Sequence, residues 1–130
     1  MTRTRSRDRG AAAVELALVL PLLLLVVAGI VDYGRAFYTQ IALTNAAREG
    51  ARAASVSTLT LGQIQARTAA AAPGVTLTTT ASLCPGTGHA SVTASTSFEW
   101  ILLGPVTSMF GASGALPDTL SSTAVMRCSK

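Results

Sequence analysis

The sequence predicts an α+β protein: a long N-terminal membrane-spanning helix, a short second helix, and a small three-stranded antiparallel sheet. Three observations carry that expectation. Leu16 to Val31 contains no charge, and the apolar run extends back to Ala11 with Glu15 as its only interruption. Polar and small apolar residues between Leu43 and Ala54 then segregate with a helical period. Beyond Pro73 and Gly74, apolar residues alternate with serine and threonine at a period of two.

The chain has 130 residues, enough for one small domain beside its apolar run. The boundaries expected are a basic leader at 1–10, a transmembrane segment at 11–31, a helix continuing outside the membrane over 32–56, and an exported α+β domain over 57–130. As a helix, residues 11–31 span about 31 Å, the thickness of a bilayer's hydrocarbon core. A cleaved secretory signal has a shorter apolar stretch and small residues at both positions of its cleavage site, and VAGIVDYGRAF does not supply them. Arg3, Arg5, Arg7 and Arg9 precede the run, whereas Asp32 and Arg35 follow it. The positive-inside rule therefore leaves the N-terminus in the cytoplasm and exports the body.

The formal net charge is +4, of which the four leader arginines and Asp8 supply +3, so the exported part is near neutral. Alternate arginines without interleaved aromatics read as a topological flank and not a phosphate-binding stripe, which argues against nucleic acid. Cys84 and Cys128 both lie in the exported part, where oxidation is permitted, and neither belongs to a C-x-x-C pair. They read as a disulfide, the alternative being two free thiols.

Glu15 is the residue that needs a reason. An ionised group in hydrocarbon costs about 3 kcal/mol on insertion scales, so it is either an interfacial residue that snorkels to the headgroups or a functional one. Gly10 stands between the basic and the oily segments, and a cut after it would make Ala11 the first residue and Glu15 the fifth. A basic leader, a glycine and a glutamate five positions on resemble the type IV prepilin processing site. The longer string GAAAVELALVLPLLLL, continued by DYGRAFYTQIALTNAAREGARAAS, resembles the TadE-like family, minor pilins of the tight-adherence (Tad, Flp-type) pilus. Major Flp pilins follow this glutamate with tyrosine; Leu16 stands here, which favours a minor pilin.

The resemblance implies a pilin-like fold, cleavage between Gly10 and Ala11 by a membrane prepilin peptidase, and helix-first assembly. It also implies association with membrane lipid, a major Flp-type pilin, other minor pilins and the assembly platform. The chemistry is consistent by itself. The new α-amine of Ala11 would share a helix face with Glu15 at i, i+4. Opposite charges about 4 Å apart attract by roughly 4 kcal/mol at an effective dielectric of 20, before desolvation. The same carboxylate is equally suited to the amine of a neighbouring subunit. The alternative is an uncleaved, membrane-anchored surface domain or binding module that never polymerises.

Pro21 interrupts the helix ladder in mid-run, either as an ordinary membrane proline or as part of subunit packing. Tyr33, Phe37 and Tyr38 suit an aromatic belt at the outer boundary. Farther on, Thr44, Asn45, Arg48, Glu49 and Arg52 fall on one arc of the helical wheel. Leu43, Ala46, Ala47, Gly50, Ala51, Ala53 and Ala54 fall on the other, a close-packing face for the protein's own sheet or for another pilin.

LGQIQARTAAAA predicts the second helix, ended by Pro73 and Gly74. Val75, Leu77, Thr79 and Ala81 share one side of a first strand. Ala90, Val92, Ala94, Thr96, Phe98 and Trp100 share one side of a second, and Leu120, Ala124, Met126 and Cys128 one side of a third. A turn at Cys84–His89 joins the first two strands. The apolar stretch Ile101–Pro117 is expected in part to close the core and in part to form a docking patch. His89 and Cys84 offer at most two zinc ligands, G-T-G at Gly86–Gly88 lacks the rest of a nucleotide loop, and no base and acid accompany the serines. The expectation is therefore no enzyme, no cofactor and no small-molecule substrate.

Overall fold

The computed structural model describes residues 5–56, 58–84 and 88–128, with side chains from Gly10 onward. Helix α1 runs unbroken over Arg5–Ala54 with Pro21 inside it, and α2 covers Leu61–Ala70. Strands β1 (Thr78–Ser82) and β2 (His89–Ser97) follow, then helix α3 (Leu103–Met109) and strand β3 (Thr119–Arg127). The sheet is antiparallel in the order β1-β2-β3, with Thr80 opposite Thr93 and Val92 opposite Ala124. This is the α+β arrangement that the periodicities predict.

The C-terminal half of α1 lies across one face of the sheet, and α2 folds back beside it. Thr60 starts α2 with a reciprocal capping box: its hydroxyl accepts from the Gln63 N–H at 3.4 Å, and the Gln63 Oε1 accepts from the Thr60 N–H at 2.9 Å. The core is built mostly of small side chains. Ala46, Ala47, Ala51, Ala53 and Ala54 of α1 are buried with Ala90, Val92 and Ala94 of β2, and Leu43, Ile64 and Val92 are the large apolar members. Gly50 shows how close the layers come. A Cβ there would run into the Thr68 hydroxyl and stand 2.9 Å from Val92 Cγ1, while that hydroxyl already donates to the Ile64 carbonyl at 2.8 Å. The opposite sheet face is a Ser/Thr surface, with Thr93 and Thr123 hydroxyls 2.8 Å apart across β2 and β3.

A disulfide joins Cys84 to Cys128 with Cα atoms 5.7 Å apart and a sequence separation of 44. It ties the ends of the two edge strands across the end of the central one, where the Cys128 N–H donates to the Gly88 carbonyl at 3.0 Å. The Cys84 sulfur lies 3.8 Å from the carbonyl oxygen of Ser55, so the bridge marks the end of the domain beside the C-terminus of α1.

Several local expectations are corrected. β1 begins at Thr78 and not Val75, because Val75 and Leu77 pack against the core from an irregular segment. α2 stops at Ala70, two residues short of Ala72, with Ala71 as its C-cap. β2 ends at Ser97, leaving Phe98 and Trp100 to form an aromatic corner. Ile101–Pro117 does not close the core: it contains the additional helix α3, which buries no residue. Pro105 is tolerated there because a first-turn N–H has no partner inside the helix anyway. The G-T-G turn at Gly86–Gly88 falls largely outside the described residues, as does Arg3; the side chains of Arg5, Arg7 and Arg9 lie outside them too.

Candidate functional site

The candidate surface is α1, and its two halves stand differently in the fold. From Gly10 to Val27 every residue of the helix is exposed. Ala11, Glu15 and Pro21 are exposed, as are Leu16, Leu18, Leu22 and Leu23. A Cβ placed on Gly10 would meet nothing within 4 Å. Glu15 has no ion-pair partner among the described residues, where the single ion pair is Arg35 with Asp32. The helix over Gly10–Ala54 is long and apolar enough to cross a membrane, by length and composition.

The second half carries the domain. Ala46, Ala47, Gly50, Ala51 and Ala54 are buried against α2 and the sheet. Asn45, Arg48 and Arg52 are exposed and Glu49 is half-buried. Nearer the apolar stretch, the Gln40 side-chain amide donates to the Ser121 carbonyl at 3.0 Å, and Ser122 Oγ donates to Thr44 Oγ1 at 3.3 Å.

Between the halves lies an anchor that the sequence did not reveal. Asp32 is fully buried, and its Oδ2 accepts the backbone N–H groups of Leu102 at 2.9 Å and Leu103 at 2.8 Å. It thereby supplies the N-terminal cap that α3 lacks from its own side chains. Arg35 Nη1 donates to Asp32 Oδ1 at 3.3 Å and its guanidinium lies 5.3 Å from the centre of the Phe98 ring. Trp100 packs edge-on against Tyr33 and Phe98, with ring centres 5.4 and 5.0 Å apart, and its indole N–H donates to the Pro117 carbonyl at 2.7 Å. Tyr33, Phe37, Gln40, Trp100, Pro117 and Leu120 line an open apolar groove of about 330 Å³. The hint was available: a carboxylate directly after an apolar run must find water or donors, but nothing in the sequence says which.

Burial pushes the Asp32 pKa up, but the donors from Leu103 and Leu102, with the hydrogen bond and charge of Arg35, outweigh it and hold the carboxyl below its ordinary 3.8. Because the folded pKa is depressed, the tether is at full strength above the unfolded value and is lost as pH falls through the folded one. Asp32→Asn should mimic that loss at neutral pH. Charge-assisted hydrogen bonds contribute about 1.5 kcal/mol or more each, so amide exchange at Leu102 and Leu103 should quicken by at least about tenfold. Unchanged protection at both amides would show that α3 is held by other contacts.

Among the described residues no cluster of three or more His, Cys, Asp or Glu is placed to hold a metal. Residues 10–52 match the sequence model of the family described as TadE-like protein. The N-terminal helix is thus similar to that family. The matched segment begins at Gly10 and ends at Arg52, inside α1, so the sheet and the shorter helices lie outside it. The comparisons with curated proteins and with solved structures return no match. The match lies on the helix that is long and apolar enough to cross a membrane, and the two together support a Tad pilus-associated, single-pass membrane protein.

Proposed function

We propose that this chain is a minor pilin-like subunit of a Tad/Flp-type adhesion pilus. It is inserted with its N-terminus in the cytoplasm, cleaved after Gly10 by a prepilin peptidase, and packed helix-first among the major Flp-type pilin and other minor pilins by the assembly platform. The observation that carries this reading is Glu15: a lone carboxylate, exposed on an apolar helix that the TadE-like match enters at Gly10. Cleavage gives it a reason to be there. The α-amine of Ala11 arises one turn away on the same face, near the positive end of the helix dipole, and the carboxylate can pair with it or with a neighbour's amine. The small-residue face of the second half is occupied by the protein's own sheet, so subunit contacts fall to the exposed apolar half and to Asn45, Arg48 and Arg52.

The mature N-terminus tests the proposal. Mass spectrometry of the protein from cells with an active prepilin peptidase should find Ala11 as its first residue. A chain still starting at Met1 or Thr2 would instead identify a permanently anchored surface domain.

A further inference from the structure

We propose that the segment Trp100–Pro117, which contains α3, is a second membrane contact: it rests in the outer interfacial layer of the bilayer that α1 crosses. This goes beyond a pilus role and depends only on the membrane anchoring, so it stands whether or not the chain enters a filament.

Three observations meet here. The first is level. Asp32 follows directly on Val31, the end of the apolar run, and its carboxylate holds the Leu102 and Leu103 amides at 2.9 and 2.8 Å. The opposite end of the domain is fixed by the disulfide beside Ser55, about 35 Å farther along α1 at 1.5 Å per residue. Antiparallel β2 and β3 run between these ends, with Ser97 paired to Thr119 at the Asp32 end and His89 to Arg127 at the other. Trp100–Pro117 is thus the part of the domain nearest the membrane.

The second is chemistry. From Trp100 to Pro117 there is no charged residue, while Glu99 and Asp118 stand immediately outside. Met109 is 84% exposed, Phe110 80% and Ile101 56%, at the tip and the start of the α3 excursion. Large apolar side chains this open need a cover, and a segment without charge can enter an interface without desolvating an ion.

The third is continuity. The groove is formed by Tyr33, Phe37, Trp100 and Pro117, and the exposed Ile30 precedes Tyr33 by three residues on the same face of α1, so the apolar surface of the domain continues onto the apolar half of that helix. Tyrosine and tryptophan at this junction are the residues favoured at headgroup level. That continuity selects lipid as the occupant over a separate protein.

The test uses the full chain in vesicles of phosphatidylcholine and phosphatidylglycerol, the phosphatidylcholine brominated on its acyl chains. Trp100 is the sole tryptophan, so a Trp100→Phe background accepts one reporter at a time. A Phe110→Trp reporter should lose most of its emission to the bromolipid, whereas a Val125→Trp reporter on the exposed outer sheet face should keep its own. Equal emission from both in brominated and plain lipid overturns the proposal. Equal quenching of both also overturns it, since the domain would then lie on its sheet. The unaltered chain gives an independent reading through Met109. In nanodiscs of the same unbrominated lipids, chloramine-T should oxidise Met109 several-fold more slowly than a methionine in a free peptide, and oxidation at the free-peptide rate overturns the contact. Release of the chain from vesicles by alkaline carbonate would overturn the anchoring itself, and the contact with it, by a separate readout.

Discussion

The double variant Cys84→Ser, Cys128→Ser is expected to lose about 4 kcal/mol of stability, the loop-closure value for a bridge of this span. The reason that so large an effect is plausible lies in the core. Its buried α1 residues are almost all alanine, with Leu43, Ile64 and Val92 the only large apolar side chains completely enclosed among the described residues. At about 0.8 kcal/mol per buried methylene, alanines contribute little each, and domains as a class retain only about 5–15 kcal/mol in total. The bridge also restrains two edge strands at once, because Cys84 follows β1 and Cys128 follows β3 with β2 between them. Thermal unfolding of the full chain in detergent should show a midpoint lowered by about 20 °C, with reductant giving the wild type the same shift. A change of only a few degrees would mean that packing alone holds the edges in register.

The other large effect concerns the apolar half of α1, and it separates processing from assembly. Gly10→Val is expected to leave the protein inserted but uncleaved. The glycine lies open in the fold, so a bulkier residue there disturbs no internal contact and obstructs only an enzyme gripping the backbone. Glu15→Ala should leave much of the protein processed yet absent from sheared filaments, since the amine of Ala11 would then have no carboxylate to pair with in hydrocarbon. Glu15→Asp should be intermediate, keeping the charge with one methylene less reach. Recovery of Glu15→Ala protein in filaments at the wild-type level would return Glu15 to the role of an interfacial residue that snorkels.

What the sequence made legible was whatever depends on near neighbours along the chain. The wheel over Leu43–Ala54 separated the residues that are buried from those that are exposed or half-buried, because helical period and burial are the same geometry seen twice. The alternation of Ala90, Val92 and Ala94 marked the inner face of β2 for the same reason. The lone pair of cysteines, both on the C-terminal side of the apolar run, pointed to a bridge. Hidden were the contacts made across the chain. Nothing local connects Asp32 to Leu102 and Leu103, 70 and 71 residues away. Without that carboxylate the Gly104-Pro105 dipeptide reads as a loop, and α3, held by a borrowed cap and not by an apolar stripe, leaves no periodic trace. Strand ends slipped where packing outlasts pairing, as at Val75, Leu77 and Phe98.

Helix α1 is continuous from Arg5 to Ala54, and the residues that wall the core belong to the same rod as the exposed apolar stretch that is long enough to cross a membrane. Mechanically the molecule therefore has no tether. A glycine-rich or disordered linker would let the domain swing and would absorb a pull as slack, whereas a hydrogen-bonded helix transmits axial load and torque directly. Beyond Pro21, any tilt, rotation or lift of the apolar half reappears at the sheet, carried by the proline-free stretch from Leu22 to Ala54, about 50 Å long at 1.5 Å per residue.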